Sequence, residues 1–233
     1  AAPHREDYSW EVIYRELPSC HYSRMAFRWG VMGAGAIARE FARDLIGTDH
    51  EVHAVGSRSL EKAQACGYGS IFYGSYEELV HDPDIDAIYI ATPHSHHYEN
   101  ALLSLRANKP TLVEKAFTIN ARQALELVEL SKACRVPLIE AMWTRFLPHI
   151  HHIREIIRSG ALGEITYLEA SHGQNLPRSR AERLWNPALG GGALLDLGVY
   201  PVSLASMILG KPERITARAT LSNEGVDKAT GAI

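Results

Sequence analysis

FRWGVMGAGAIA, residues 27–38, is the stretch of sequence that decides the fold. An apolar run fills 27–32, and Gly33 and Gly35 follow it directly. The next residues form an amphipathic helical pattern, with apolar side chains at Ile37, Phe41 and Leu45. A strand that turns through glycines into such a helix is the first half of a βαβ unit. The stretch therefore predicts an α/β domain built on a parallel sheet.

Short apolar runs alternate with helical patterns as far as Met142. The predicted strands are 27–32, 52–57, 71–73, 87–91, 111–114 and 137–142. They read as continuous apolar runs, which is typical of strands covered on both faces. The sequence thus predicts a Rossmann domain at 25–146, preceded by an extension of unknown role at 1–24.

The regular alternation of apolar runs and helical patterns ends after Met142, which indicates a second domain of the α+β class at 147–233. A helix is expected at 149–159, a strand at 165–171 and a polar loop at 172–186. Three glycines at 190–192 then precede a helix at 193–209 and a strand at 215–221.

The glycine loop has the context of a dinucleotide-binding turn. Gly33 would permit the tight turn, Gly35 would let the backbone approach a pyrophosphate, and Ala38 would allow close packing of helix on strand. The free amides at the start of the helix, at Ala36 and Ile37, would bind the phosphates. An ordinary tight turn between strand and helix is the alternative.

The end of the second strand discriminates between nicotinamide cofactors. NAD-binding domains usually carry a carboxylate there, whereas this chain has Ser57 and Arg58. Arg58 could pair with a 2′-phosphate and Ser57 could hydrogen-bond it, so NADP is favoured over NAD. Alternatively, Arg58 is a solvated residue at a helix start.

Composition excludes some classes of partner. Lys and Arg total 24 against 27 Asp and Glu, so a net charge of -3 gives no reason to expect nucleic acid. The most apolar late stretch, 193–209, contains Asp196 and Pro201 and is interpreted as a buried helix rather than a membrane span. Three widely spaced cysteines, Cys20, Cys66 and Cys134, favour reduced thiols and a cytoplasmic location.

Two polar motifs follow predicted strands at their carboxyl ends, where ligands bind in open α/β sheets. Thr92-Pro93 and His97 follow the fourth strand, and Glu114-Lys115 follows the fifth. With the glycine loop, these motifs resemble those of the Gfo/Idh/MocA oxidoreductases. The regions 140–146 and 190–200 are most similar to its branch of dihydrodiol dehydrogenases and NADP-dependent D-xylose dehydrogenases. Ala116 departs from the family pattern, which usually has Pro after Glu-Lys.

The resemblance implies site residues and a substrate class. Lys115, Tyr200 and Asp196 are the expected catalytic residues, with Tyr200 as a base if a nearby cation such as Lys115 stabilises its phenolate. Thr92, Pro93, His97, Glu114 and Lys115 are expected at the cofactor, and Trp143, Arg145 and Asp196 at the substrate. The family builds its second domain on an open, mostly antiparallel sheet that often supports dimers, so 147–233 is expected to be incomplete. A homodimer is expected for the full-length protein.

Less specific interpretations of the same residues remain open. Tyr200 could be a core residue, Asp196 a cap or ion-pair partner, Trp143 a core residue and Arg145 an interdomain ion pair. Nearby histidines occur at 149–152 and 94–97, but no cysteine or carboxylate completes a ligand set, so no metal is expected.

Two functions are therefore compared. The first is an NADP-dependent oxidoreductase acting on a neutral sugar, at C1 of D-xylose or a related aldose, or on a trans-dihydrodiol. The alternative is a non-catalytic dinucleotide-binding regulatory or scaffold protein, against which the joint presence of Lys115, Asp196 and Tyr200 argues.

Overall fold

The structure is a computed structural model that describes residues 26–233, apart from the side chain of Arg180. The extension expected at 1–24, with Cys20 in it, lies outside the described residues. The cysteines within the described part, Cys66 and Cys134, are free thiols.

Six strands form the first sheet: β1 (Phe27–Met32), β2 (His50–Gly56), β3 (Ile71–Tyr73), β4 (Ala87–Ile90), β5 (Thr111–Val113) and β6 (Leu138–Glu140). All neighbours are parallel, in the order β3-β2-β1-β4-β5-β6. This is a Rossmann sheet, and the predicted fold class is confirmed.

The strand order reverses beside β1, and this reversal positions the site. The chain steps outward from β1 to β3 and then returns to place β4 on the other side of β1. The loops that leave β1 and β4 therefore diverge to opposite faces, which opens a crevice at their carboxyl ends. The central strands are apolar on both faces, since Val31, Met32 and Ile90 are completely buried.

Seven α-helices are described: α1 (Ala36–Asp44), α2 (Leu60–Gln64), α3 (Tyr76–Val80), α4 (His97–Arg106), α5 (Ala121–Cys134), α6 (Pro148–Arg158) and α7 (Val199–Leu209). Side-chain caps fix where three of the Rossmann helices begin. Ser59, Ser75 and Asn120 accept hydrogen bonds from the amides of Lys62, Glu78 and Gln123, respectively. Such caps satisfy amides that have no partner within the helix.

The core divides into two clusters, one on each face of the sheet. The larger cluster packs α3, α4 and α5 against the sheet and includes Met32, Leu79, Ile90, Leu105 and Leu127. The smaller cluster lies under α1 and α2 and includes Val31, Ala38, Val55 and Tyr89. Burial on both faces explains why these strands are uniformly apolar.

The second half differs from the prediction in its strands. The expected strand at 165–171 is wrong, because 165–177 has no regular structure. The strand expected at 215–221 is present as β7 (Ala217–Leu221), and it pairs antiparallel with β8 (Asp227–Ala232), which the sequence did not predict. An alternating apolar pattern makes a strand only where a neighbouring strand takes up its backbone hydrogen bonds, and β8 provides this for β7 alone.

The helix expected at 193–209 forms, but the expectation that it is buried was wrong. It comprises a π-helical turn, Leu194–Gly198, followed by α7, in which no residue is buried. The hairpin β7–β8 contacts the π-helical turn and leaves much of α7 uncovered. Pro187–Leu209 is long and apolar enough to cross a membrane, by length and composition alone.

Candidate active site

The glycine loop at the end of β1 has the geometry of a ligand cradle. Gly33 has a φ of +106°, and a Cβ atom there would lie 2.9 Å from the carbonyl oxygen of Ala91, so only glycine fits. Gly35 precedes α1, and a Cβ atom there would meet nothing within 4 Å. The first turn of α1, beginning at Ala36 and Ile37, carries no acidic residue. The free amides therefore face open space that suits an anion.

The end of β2 carries no carboxylate. Ser57 is buried and its amide donates to the carbonyl of Tyr73, which holds the turn against β3. Arg58 is exposed, so its guanidinium is available to a ligand beside the crevice. The first carboxylate beyond it is that of Glu61, within α2.

His97 does not line the crevice, which corrects the expected contact with a cofactor. Its side chain is completely buried, and Nδ1 and Nε2 lie 2.7 and 2.8 Å from the carbonyl oxygens of Ala116 and Thr92. Burial lowers the pKa of His97 to about 4, so the ring is neutral and donates to one carbonyl at a time. The side chain ties the loop after β4, which includes Pro93, to the loop after β5.

Lys115 and Asp196 meet across the boundary between the two halves of the chain. The ammonium Nζ of Lys115 donates to the carbonyl oxygen of Asp196 at 2.7 Å and to its carboxylate Oδ1 at 3.3 Å. Nζ also lies 5.1 Å from the centre of the Tyr200 ring. The three expected catalytic side chains are thus brought together, although 81 residues separate Lys115 from Asp196.

The carboxylate of Asp196 carries a second cation that sequence reasoning missed. Arg183, in a short 3₁₀ helix, donates to Oδ1 at 3.0 Å. Burial acts to raise the pKa of Asp196, but the positive charges of Lys115 and Arg183 outweigh it and hold the pKa below its usual value. Asp196 is therefore ionised at neutral pH although it is only 5% exposed.

The backbone around Lys115 is fixed by two half-buried carboxyl groups. Glu114 accepts hydrogen bonds from the hydroxyl of Tyr89 at 2.7 Å and from the amide of Lys115 at 3.1 Å. Glu140, at the end of β6, accepts from the amide of Phe117 at 3.1 Å. Burial raises the pKa of both carboxyl groups. The peptide bond between Lys115 and Ala116, where the family usually has proline, is cis.

The roles of Tyr89 and Glu140 were not assigned from the sequence. Glu140 ends a predicted strand, and the rule that ligands gather at carboxyl ends could have marked it. Tyr89 lies inside an apolar run, and no pattern separates its buried hydroxyl from an ordinary core tyrosine.

Trp143 and Arg145 contact α7 at Tyr200 and Ser203. The indole Nε1 of Trp143 donates to the Tyr200 hydroxyl at 3.0 Å. Arg145 donates to the hydroxyl and carbonyl oxygens of Ser203, at 2.7 and 3.2 Å. Both residues thus lie close to Tyr200, and among the described residues Arg145 makes no ion pair. A cavity of about 210 Å³ opens between Arg145, Tyr200 and His172.

Three consecutive glycines, Gly190 to Gly192, allow the segment before Asp196 to pack closely against its neighbours. A Cβ atom would lie 2.8 Å from the Cβ of His94 at Gly190, 2.5 Å from the Leu184 carbonyl oxygen at Gly191, and 2.2 Å from a carboxylate oxygen of Asp227 at Gly192. His94 also contacts the Gly190 carbonyl oxygen through Nδ1 at 2.8 Å. The glycines therefore allow three separate segments to approach one turn.

One group of metal-ligand atoms occurs elsewhere in the described residues. His53, Asp82 and Asp84 place such atoms within 4.8 Å of one another, and none of them belongs to the histidine groups at 94–97 and 149–152. Asp82 accepts a hydrogen bond from Tyr73 and Asp84 pairs with Arg28, so their carboxylates already have protein partners.

Known proteins resemble the chain over both halves. Residues 27–141 match the model of an oxidoreductase family with an NAD-binding Rossmann fold, and residues 150–233 match the GFO/IDH/MocA C-terminal domain. The D-xylose 1-dehydrogenase (NADP(+)) of Hypocrea jecorina is 44% identical over 200 residues, which cover 76% of this chain and 51% of that protein. The trans-1,2-dihydrobenzene-1,2-diol dehydrogenase of Mus musculus is 40% identical over 213 residues, covering 87% and 63%.

A solved structure has a similar fold. The 3-ketoreductase from Actinomadura kijaniata, in complex with NADP and TDP-benzene, is 28% identical with a TM-score of 0.72, covering 89% of this chain and 65% of that one. The chain thus spans about half to two thirds of the length of these relatives. The two adjoining family matches and the shared fold lead to one conclusion: the chain belongs to the Gfo/Idh/MocA family of oxidoreductases.

Proposed function

We propose that the protein is an NADP-dependent dehydrogenase that transfers a hydride between the hydroxyl-bearing carbon of a neutral sugar or cyclic diol and the nicotinamide. Residues 25–146 would form the dinucleotide-binding domain and 147–233 the substrate domain. The observation that carries the proposal is the meeting of Lys115, Asp196 and Tyr200 after the carboxyl end of β5, which lies on the same edge of the parallel sheet as the glycine loop.

The residues at the crevice fit NADP. Space above Gly35 and the uncapped first turn of α1 would accept the pyrophosphate, and Ser57 and Arg58 would hold the 2′-phosphate. Thr92 and Pro93 would line the path toward Lys115. NADP supplies the ring that accepts the hydride, and the relative from Hypocrea jecorina that carries NADP(+) in its name supports this choice over NAD.

The side chains of this chain would handle the proton. Oxidation of an alcohol releases a hydride from carbon and a proton from oxygen, so a base must lie beside the hydroxyl. The Tyr200 side chain, acting as its phenolate, would accept that proton and become the neutral phenol, while the Lys115 ammonium stabilises the negative charge that develops on the substrate oxygen. Asp196 orients Lys115 through two contacts. Trp143, hydrogen-bonded to the Tyr200 hydroxyl, and Arg145 would border the substrate.

Two substrate classes are supported by different relatives. One similar protein is a D-xylose dehydrogenase and others are trans-dihydrodiol dehydrogenases. The proposal also includes a cytoplasmic location, supported by the free thiols of Cys66 and Cys134, and a homodimer, supported by the exposure of every residue of β7.

Turnover and binding measurements separate catalysis from mere cofactor binding. We expect NADPH formation with D-xylose, another aldose or a trans-dihydrodiol, followed by ultraviolet absorbance. Lys115→Met and Tyr200→Phe should each reduce kcat at least about 100-fold and leave NADPH binding intact, because each removes a group that acts on the proton or the oxygen.

Two exposed residues provide matched controls. Among residues 26–233, Lys132 pairs with Glu129 alone and Tyr167 is 76% exposed, and both residues lie outside the crevice. Lys132→Met and Tyr167→Phe should retain full activity. NADPH binding without turnover of any substrate in the panel would favour a non-catalytic dinucleotide-binding protein.

A further inference from the structure

A single carboxylate oxygen receives two cations at the center of the site. Arg183 lies 3.0 Å and Lys115 lies 3.3 Å from Oδ1 of Asp196. The side chains of Asp196 and Lys115 are 8% and 15% exposed, whereas that of Arg183 is 47% exposed. Arg183 comes from the polar segment before the three glycines, a segment to which no function has so far been assigned.

Lys115 and Arg183 share one carboxylate oxygen next to Tyr200, so neither cation is paired with Asp196 alone. The Lys115 ammonium has three protons to donate, and two of its hydrogen bonds go to Asp196. Within the described part of the chain, the third has no acceptor, so it is available to a substrate oxygen.

We propose that Arg183 is a positioning residue that shares the charge of Asp196 and thereby makes the Lys115 ammonium a stronger hydrogen-bond donor to the substrate oxygen than a simple ion pair would allow. A lysine paired alone with a buried carboxylate is strongly held in its charged form. A second cation on the same oxygen offsets part of that stabilisation. The inference rests on the proposed role of Lys115 at the reacting oxygen.

The other charged and titratable groups around Lys115 do not replace Arg183. Glu114 precedes Lys115 and accepts its amide hydrogen, and Tyr200 packs against its ammonium. His94 faces the cluster from the loop after β4, but burial lowers its pKa and keeps it neutral. His172 contacts the Tyr200 ring at 5.1 Å between ring centers and does not pair with Asp196.

The proton affinity of Lys115 can be measured without turnover. Trace acetic anhydride acetylates only the neutral amine, and mass spectrometry of the Lys115 peptide across a pH series gives the midpoint of its reactivity. In Arg183→Gln, the Asp196 carboxylate loses its second cation and interacts more strongly with Lys115. The midpoint should therefore rise by about one pH unit. Arg183→Lys keeps the charge and should restore the original midpoint. The exposed Lys132 serves as an internal reference.

A neighbouring arginine separates charge from packing. Arg178 stacks on Trp185 and pairs with Glu224, in the same polar segment, without touching Asp196. Arg178→Gln should therefore leave the Lys115 midpoint unchanged. An unchanged midpoint in Arg183→Gln would overturn the proposal, and so would an equal rise in Arg183→Lys or Arg178→Gln.

Turnover in the same variants distinguishes this inference from the proposed function. If the dehydrogenase proposal holds, kcat should also fall in Arg183→Gln, because a Lys115 ammonium held more tightly by Asp196 stabilises the substrate oxygen less well. A midpoint that moves in a protein without turnover supports the charge sharing and contradicts the dehydrogenase. Turnover with a fixed midpoint contradicts the charge sharing alone.

Discussion

Arg58 is an exposed side chain, and whether it can bind a phosphate depends on the charges of its neighbours. It follows Ser57 at the end of β2, where no carboxylate is present to repel a phosphate. A guanidinium in this position matches the geometry of a phosphate and is always charged. Its contribution should therefore be confined to one cofactor.

Replacement of Arg58 by alanine should change the preference for nicotinamide cofactors. We expect the Kd for NADP to rise at least about tenfold, which corresponds to about 1.4 kcal/mol, because a charge-assisted hydrogen bond is lost. The Kd for NAD should be unchanged. Arg43→Ala is the control, because Arg43 lies on the exposed side of α1 and pairs with Glu40. Fluorescence titration measures both constants, and a parallel loss for NAD would remove Arg58 from phosphate recognition.

Single residues also show how much of the site could be predicted. Gly33 and Lys115 follow from their positions at the carboxyl ends of strands, because those ends converge in any parallel sheet of this order. The role of Arg183 could not be foreseen. It depends on a nonperiodic segment folding back onto Asp196, and no local pattern encodes a contact of that kind.

At the scale of elements, the π-helical turn Leu194–Gly198 and the hairpin β7–β8 depend on each other. A carboxylate oxygen of Asp227, at the start of β8, accepts the amide of Leu194 at 2.8 Å and the hydroxyl of Thr230 at 2.7 Å. The same carboxylate approaches Gly192, whose φ of +111° suits glycine. The cap therefore fixes the start of the helical segment that presents Asp196.

Gly192→Ala should test this seating. The new methyl group would meet Asp227 at 2.2 Å in a left-handed backbone conformation, so one side must move. We expect the free energy of unfolding to fall by about 1–3 kcal/mol and turnover to fall with it. Gly173→Ala, where a Cβ atom meets nothing within 4 Å, should change neither. Denaturant unfolding checks the first effect, and equal stability of both variants would contradict the tight approach.

The parallel strands were predicted better than the antiparallel ones, because the antiparallel strands depend on contacts with segments distant in the sequence. All six strands of the parallel sheet were predicted, because a strand that is buried on both faces has a continuous apolar sequence. The error at 165–171 and the omission of β8 arose in antiparallel pairing. There the strand depends on which distant segment lies beside it, and β8 itself carries few apolar side chains.

For the whole molecule, stability is concentrated in the Rossmann half. Among the described residues, most completely buried large side chains belong to the parallel sheet and its helices, whereas α6 and α7 bury none. Leu127 and Leu125 lie on the same helix, α5, and differ in burial from 0% to 64% exposed. They offer a matched pair for testing where the free energy of folding resides.

Leu127→Ala should lower the free energy of unfolding by about 2–5 kcal/mol, because it leaves a cavity in the larger core cluster. Leu125→Ala should change it by no more than about 0.5 kcal/mol. Both variants should bind NADPH with unchanged Kd while folded, since neither residue lies at the crevice. Similar losses in the two variants, measured by chemical denaturation, would mean that the core is not where the structure places it.

The hydrogen bond from the Leu194 amide to Asp227 also couples the stability of the hairpin β7–β8 to that of the segment that carries Asp196. When β8 separates from β7, the helical segment loses the hydrogen bond between Leu194 and Asp227. Asp196, whose carboxylate binds Lys115, lies only two residues after Leu194. Fraying at the edge of the small sheet and the loss of an ordered reaction center would consequently be one cooperative event rather than two.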